Sequence, residues 1–157
     1  MNAFEDIEDA FWFLDIKLGY QRSRYDYAPA PNGNAIVDYR SPGLWVTVTK
    51  DRGQFFCRFA VPREPAEQFD LEIVLRDLGD TKAADDLVAQ KGSSLGALAS
   101  CVEQTIDRIR PQFNEDVFSE TRARLKEGQL RRFRAHVGDK IADQLIKARG
   151  GTLPRGG

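Results

Sequence analysis

Leu44-Trp45-Val46-Thr47-Val48-Thr49-Lys50-Asp51-Arg52-Gly53-Gln54-Phe55-Phe56-Cys57-Arg58-Phe59-Ala60-Val61 reads as two strands joined by a tight turn. Leu44, Val46 and Val48 fall on one side of the first strand, opposite Trp45, Thr47 and Thr49. In the second, Phe55, Cys57, Phe59 and Val61 oppose Gln54, Phe56, Arg58 and Ala60. A period of two marks a strand whose faces meet different surroundings, so the first set in each strand is expected to face a core. The link Asp51-Arg52-Gly53 is short enough to join only antiparallel neighbours.

The same period extends upstream, giving four strands at 21–27, 35–40, 44–50 and 54–61. Pro29, Pro31, Gly33 and Asn34 interrupt the first link, and Ser41, Pro42 and Gly43 the second. An antiparallel meander follows. Before it, Phe4, Ile7, Phe11, Leu14 and Leu18 recur at steps of three and four, which predicts an amphipathic helix ended by Gly19. Asn2 and Glu5 have capping-box spacing, and Glu5, Asp6, Glu8 and Asp9 suit the positive end of the helix dipole.

Downstream, residues 69–78 fit a short helix or a fifth strand, with the helix favoured. Residues 79–92 are polar and read as a short helix or a mobile connection. Ser94 can cap a helix carrying Leu95, Leu98, Ala99, Val102, Ile106 and Ile109, which Pro111 kinks or ends. A final helix is expected from about Asn114 onward, through Phe118, Leu125, Phe133, Val137, Ile141 and Leu145, weakened at Gly128 and Gly138. The fold class is therefore α+β in one domain over residues 1–149: an N-terminal helix, a four-stranded antiparallel meander sheet, and C-terminal helices packed on the sheet. Residues 150–157 are expected to be a disordered tail.

The 157 residues, 41% hydrophobic and 30% charged, suffice for one core held by packing alone. A net charge of -1 excludes a strongly basic coat and a strongly acidic tail. No apolar run approaches the ~18 residues of a membrane span, and the first segment is acidic, so a cytoplasmic protein with no membrane partner is expected.

Chemical motifs are scarce. Cys57 and Cys101 are too few and too far apart for a zinc or C-x-x-C site and read as small buried hydrophobes. His136 is the lone histidine and has no motif around it. No nucleophile elbow, dinucleotide fingerprint or P-loop occurs, so no catalytic residue, cofactor or metal is assigned and a non-catalytic protein is expected.

Two surfaces stand out instead. The carboxylates Glu5, Asp6, Glu8 and Asp9, with the off-stripe Trp12 and the off-core Trp45 and Phe56, form a candidate protein-binding set. Residues 115–157 hold 10 basic and 6 acidic side chains, so Arg131, Arg132 and Arg134 form an alternative nucleic-acid-binding set.

The order of features resembles a group of small uncharacterised bacterial α+β proteins similar to immunity proteins of polymorphic toxin systems. The resemblance lies in the helix running into Leu18-Gly19-Tyr20, the strand Val37-Asp38-Tyr39-Arg40-Ser41, the strand Leu44 to Asp51, and Leu95, Leu98 and Val102 leading to Phe113 and Phe118. It spans roughly residues 4–125 and brings no catalytic residues with it. It implies a toxin domain as partner, inhibited by steric and electrostatic occlusion without turnover. Against a nuclease toxin, the four carboxylates would imitate phosphate charge while Trp12 or Trp45 supplied anchoring area.

Overall fold

The computed structural model describes residues 2–25 and 34–150. Helix α1 spans Ala3–Ala10 and is followed by a π-helical turn at Phe13–Lys17. Strands β1 (Gln21–Tyr25), β2 (Ala35–Arg40), β3 (Trp45–Asp51), β4 (Gln54–Ala60) and β5 (Phe69–Asp70) follow. The helices α2 (Leu71–Asp77), α3 (Thr81–Gln90), α4 (Leu95–Gln112), α5 (Phe118–Val137) and α6 (Asp139–Ala148) complete the chain.

The strands form one antiparallel sheet in the order β1-β2-β3-β4-β5. The sheet has five strands rather than four. The segment at 69–78 is both things its sequence allows, a two-residue strand that passes directly into α2. Residues 79–92 hold α3. The expected final helix is two helices: α5 starts at Phe118 rather than Asn114, and Gly138, at φ +87°, ends it and begins α6. A side chain at that backbone angle would be strained, which is why the break falls on glycine. The expected turn at Pro29, Pro31 and Gly33 and the expected tail beyond Gly150 lie outside the described residues.

Pairing register fixes what each face carries. Val37, Tyr39, Val46, Val48, Cys57 and Phe59 are buried on the inner face. Helix α1 lies against β2 and α4 against β4 on this side, as Phe11 beside Tyr39 and Phe113 beside Phe59 mark. One aromatic chain runs from Phe59 to Phe113 at 6.2 Å, to Phe118 at 5.5 Å and on to Phe69 at 6.5 Å. It joins β4, the end of α4, the start of α5 and β5 through a single packed cluster. Ser94 caps α4 through a hydrogen bond from the Ala97 N–H, as its sequence predicts, and Pro111 falls in the last turn.

Gly92 is tied to the sheet. Its carbonyl accepts the Phe55 N–H at 2.9 Å, and a Cβ there would sit 2.9 Å from the Phe55 carbonyl oxygen. With φ at +70°, both the backbone angle and the close approach require glycine.

The buried Tyr39 hydroxyl has no hydrogen-bond partner among the described residues. Removing an unpaired buried hydroxyl relieves a desolvation penalty, whereas truncating a ring in the aromatic chain opens a cavity. Urea unfolding of Tyr39→Phe is therefore expected to show wild-type stability or better. Phe113→Ala is expected to lose about 3–5 kcal/mol. A loss in Tyr39→Phe as large as in Phe113→Ala would contradict the packing described here.

Candidate interaction surfaces

Helix α1 is built to point in two directions. The Asn2 side chain accepts the Glu5 N–H at 2.9 Å, and the Glu5 carboxylate accepts the Asn2 N–H at 3.2 Å, completing the capping box. Ile7, Phe11, Phe13 and Leu14 are buried. Phe11, Phe13 and Leu14 all reach the core because the chain widens into a π turn, closed by the Leu18 N–H to the Phe13 carbonyl at 2.9 Å. The same turn leaves Trp12 at 48% and Ile16 at 76% exposure. Asp9, also exposed, lies one turn before Trp12, and half-exposed Asp6 stands beside it.

The four acidic residues do not act as one set. Glu8 is only 8% exposed and sits beside β1, where Arg24 donates to both of its oxygens, Nε at 3.1 Å and Nη2 at 2.5 Å. Arg22 adds Nε at 3.1 Å and reaches Asp15 at 3.4 Å. The hydrogen bond from Arg24 outweighs burial and holds the Glu8 carboxyl below its ordinary value. Glu8 thus fastens α1 to the sheet edge, while Glu5 caps the helix. Asp6 and Asp9 remain without ion-pair partners among the described residues.

Trp45 and Phe56 lie on the outer face of the sheet, as the alternation predicts, but neither stands open. The Arg40 guanidinium covers the Trp45 ring at 4.2 Å, a cation–π contact that leaves the indole half-buried. Phe56 lines a cleft of about 220 Å³ with Leu71, Leu87 and Val88. Because α1 packs on the inner face, Trp12 is separated from Trp45 and Phe56 by the sheet itself. The set therefore does not form one surface: Glu8 is part of the α1–β1 clamp, Asp6, Asp9 and Trp12 lie on the α1 side of the sheet, and Trp45 and Phe56 on the other.

The outer face also carries a row that sequence reasoning did not pick out. Ser23, Asp38, Thr47, Arg58 and Asp70 lie side by side across all five strands. Thr47 donates to the buried Asp38 at 2.8 Å, Arg58 to Asp70 at 2.8 Å, and Arg132 of α5 meets Asp70 at 2.7 Å. Burial would raise the Asp70 carboxyl, but the Arg58 hydrogen bond and the Arg132 charge prevail and hold it below the ordinary value. The signal was the outward position of Asp38, Thr47 and Arg58 in the two-residue period.

The basic set is largely occupied. Arg132 pairs with Asp70 and Glu72, Arg134 with Asp143 at 2.6 Å and Asp139 at 3.5 Å, and the 70% exposed Arg131 with Glu127. A trough of about 310 Å³ between α2 and α5 gathers Arg76, Arg124, Arg131 and Arg132, each paired to a carboxylate. Its walls set these four arginines against Glu72 and Asp77, so the lining is net positive although each guanidinium is already paired. His136 is exposed near the end of α5, and both cysteines are free, Cys57 buried and Cys101 half-buried. No helix is long and apolar enough to cross a membrane, and no group of metal-ligand residues is assembled, among the described residues. No family model, curated protein or solved structure matches the chain.

Since the Glu8 carboxyl is depressed in the folded state, its contribution is present above the ordinary carboxylate value and lost as pH falls through the folded one. Glu8→Gln is expected to lower the melting temperature at neutral pH, with the gap to wild type closing in acid. A gap independent of pH in thermal melts would show that the clamp is not electrostatic.

Proposed function

We propose that the chain is a non-catalytic protein-binding module that engages a basic partner surface through the exposed ridge formed by the end of α1 and the π turn that follows it. The observation behind this is the joint exposure of Trp12 and Ile16 beside Asp6 and Asp9, which have no ion-pair partner among the described residues. Large apolar side chains at the surface are costly to leave in water and are the usual anchors of interfaces. Carboxylates at the rim add rate and orientation rather than bulk affinity. An immunity-type inhibitor works with these components: an aromatic anchor seated on the partner, and acidic groups opposed to the cationic site of a toxin domain that handles phosphates. Occlusion of that site needs no turnover. In this arrangement Glu8 belongs to the scaffold, and Trp45 and Phe56 belong to a second surface on the other side of the sheet.

The alternative, a nucleic-acid accessory protein using Arg131, Arg132 and Arg134, has less behind it, because Arg132 and Arg134 already hold internal carboxylates. Phosphates would have to displace them.

Purified partner binding to wild type, Trp12→Ala and Asp9→Lys separates these roles. Trp12→Ala is expected to weaken affinity by at least tenfold, mainly through faster dissociation. Asp9→Lys is expected to slow association and reduce its salt dependence. Affinity unchanged in both would remove α1 from the interface; loss only on replacing Arg131, Arg132 and Arg134, with a flatter salt slope for bound RNA or DNA, would establish the alternative.

A further inference from the structure

The trough between α2 and α5 is lined by Arg76, Arg124, Arg131 and Arg132 around Glu72 and Asp77. The two carboxylates lie deeper than the guanidiniums they hold: Asp77 is 12% exposed against 47% for Arg124, and Glu72 19% against 38% for Arg76. A molecule entering from solvent therefore meets guanidinium first. Pairing orients these groups without exhausting them, because a guanidinium carries five N–H donors in a rigid fork. Arg76 commits Nε to Glu72 and Nη2 to Asp85, and Arg124 commits Nε and Nη2 to Asp77, with Gln112 and Thr121 also on Nη2. The Nη1 groups of both donate to nothing among the described residues. Arg131 is held most loosely. Its partner Glu127 is 3.5 Å away on the same helix and both side chains are exposed, so the pair contributes little and opens readily.

The floor is open for a reason written in the sequence. Gly128 stands within α5, where glycine is the poorest helix former short of proline. A Cβ there would come 3.3 Å from the Ile73 Cγ2, so its absence lets α2 approach. Exposed Ala135, two turns on, keeps the same face of α5 clear.

We infer that this trough binds a small molecule carrying a phosphate group, seated among Arg76, Arg124 and Arg131. Arg132 stays on Asp70 and Glu72 and contributes its charge. Four arginines against two carboxylates leave the lining two positive charges in surplus, which a phosphate dianion balances. Guanidinium forks match phosphate oxygens, and forks arriving from two helices suit a tetrahedral anion better than a planar carboxylate. A volume of about 310 Å³ lies at the small end of ligand pockets and takes free phosphate or a phosphate ester with a short organic body. Only the Arg131–Glu127 pair has to open, whereas a nucleic acid on Arg131, Arg132 and Arg134 would have to displace internal carboxylates. The site shares no residue with the ridge at Trp12, so it stands or falls separately from the proposed partner binding.

The test is calorimetric titration of the purified full chain, at constant ionic strength, with inorganic phosphate, glycerol 3-phosphate and succinate. One equivalent of phosphate group is expected to bind with a Kd of about 1 mM or below, and succinate about tenfold more weakly. Tighter binding of glycerol 3-phosphate identifies an ester as the ligand, and tighter binding of inorganic phosphate the free ion. Arg131→Gln, at an exposed position, is expected to weaken phosphate binding about fivefold. Glu127→Gln removes the competing carboxylate from outside the trough and is expected to strengthen it. Ala135→Glu sets a carboxylate in the lining and is expected to abolish binding, while Trp12→Ala leaves it unchanged. No binding at millimolar phosphate would overturn the inference. So would phosphate binding indifferent to Arg131→Gln and Ala135→Glu in variants that melt as wild type does, or succinate bound as tightly as phosphate. A short single-stranded RNA bound more tightly than either phosphate through the same arginines would also overturn it, in favour of nucleic acid.

Discussion

Everything in this molecule follows from one demand, that the apolar inner face of β2, β3 and β4 be kept from water. Val37, Val46, Val48 and Phe59 are each fully buried there, and a sheet cannot bury its own face. Helices α1 and α4 supply the cover, one from before the strands in sequence and one from after them. The aromatic chain through Phe59, Phe113, Phe118 and Phe69 then recruits α5 to the same core. At the far edge, Glu8 gripped by Arg22 and Arg24 fixes how α1 lies on the strands.

That demand also explains what is left exposed. A short helix laid on a sheet can commit only one stripe to it, and α1 commits Ile7 and Phe11 and then, through the π turn, Phe13 and Leu14 together. Widening the turn brings one more large residue inward and turns Trp12 and Ile16 outward. π turns interrupt regular helices and recur at functional sites; the ridge has its structural origin in this one, and its use is what we propose. Helix α6 shows the opposite economy. It packs mainly on α5, buries Ala142 and leaves Ile141 and Leu145 only partly covered, as expected of a short helix whose main contacts lie on one side.

Much of this was legible in the residues. The alternation through Leu44–Val61 carries strands, turn and inner face together, because the period of two and the burial of one face are the same physical fact. The capping box at Asn2 and Glu5 was readable because its geometry is local. What was not readable depended on tertiary neighbours. β5 is two residues long and exists only because Phe69 meets Phe59 across the sheet edge. Glu8 looked like its three acidic neighbours until folding set it beside Arg22 and Arg24. Trp45 was correctly assigned to the outer face, yet its exposure is set by Arg40 in the neighbouring strand. Arg132 counted as surface charge, while Asp70 and Glu72 claim it from residues far away in sequence. Gly138 shows the limit of propensity: a glycine can weaken a helix or end it, and the angle it adopts decides which.

The central claim is our proposal that the π turn after α1 presents Trp12 to a partner. A photo-crosslinking phenylalanine analogue at position 12, expressed in the source cells and compared with the same analogue at the exposed His136, tests that contact in place. The account predicts one discrete protein adduct at position 12, to a basic partner or its basic domain, absent at position 136 and resistant to nuclease. Adducts confined to position 136 and removed by nuclease, with none at position 12, would contradict it.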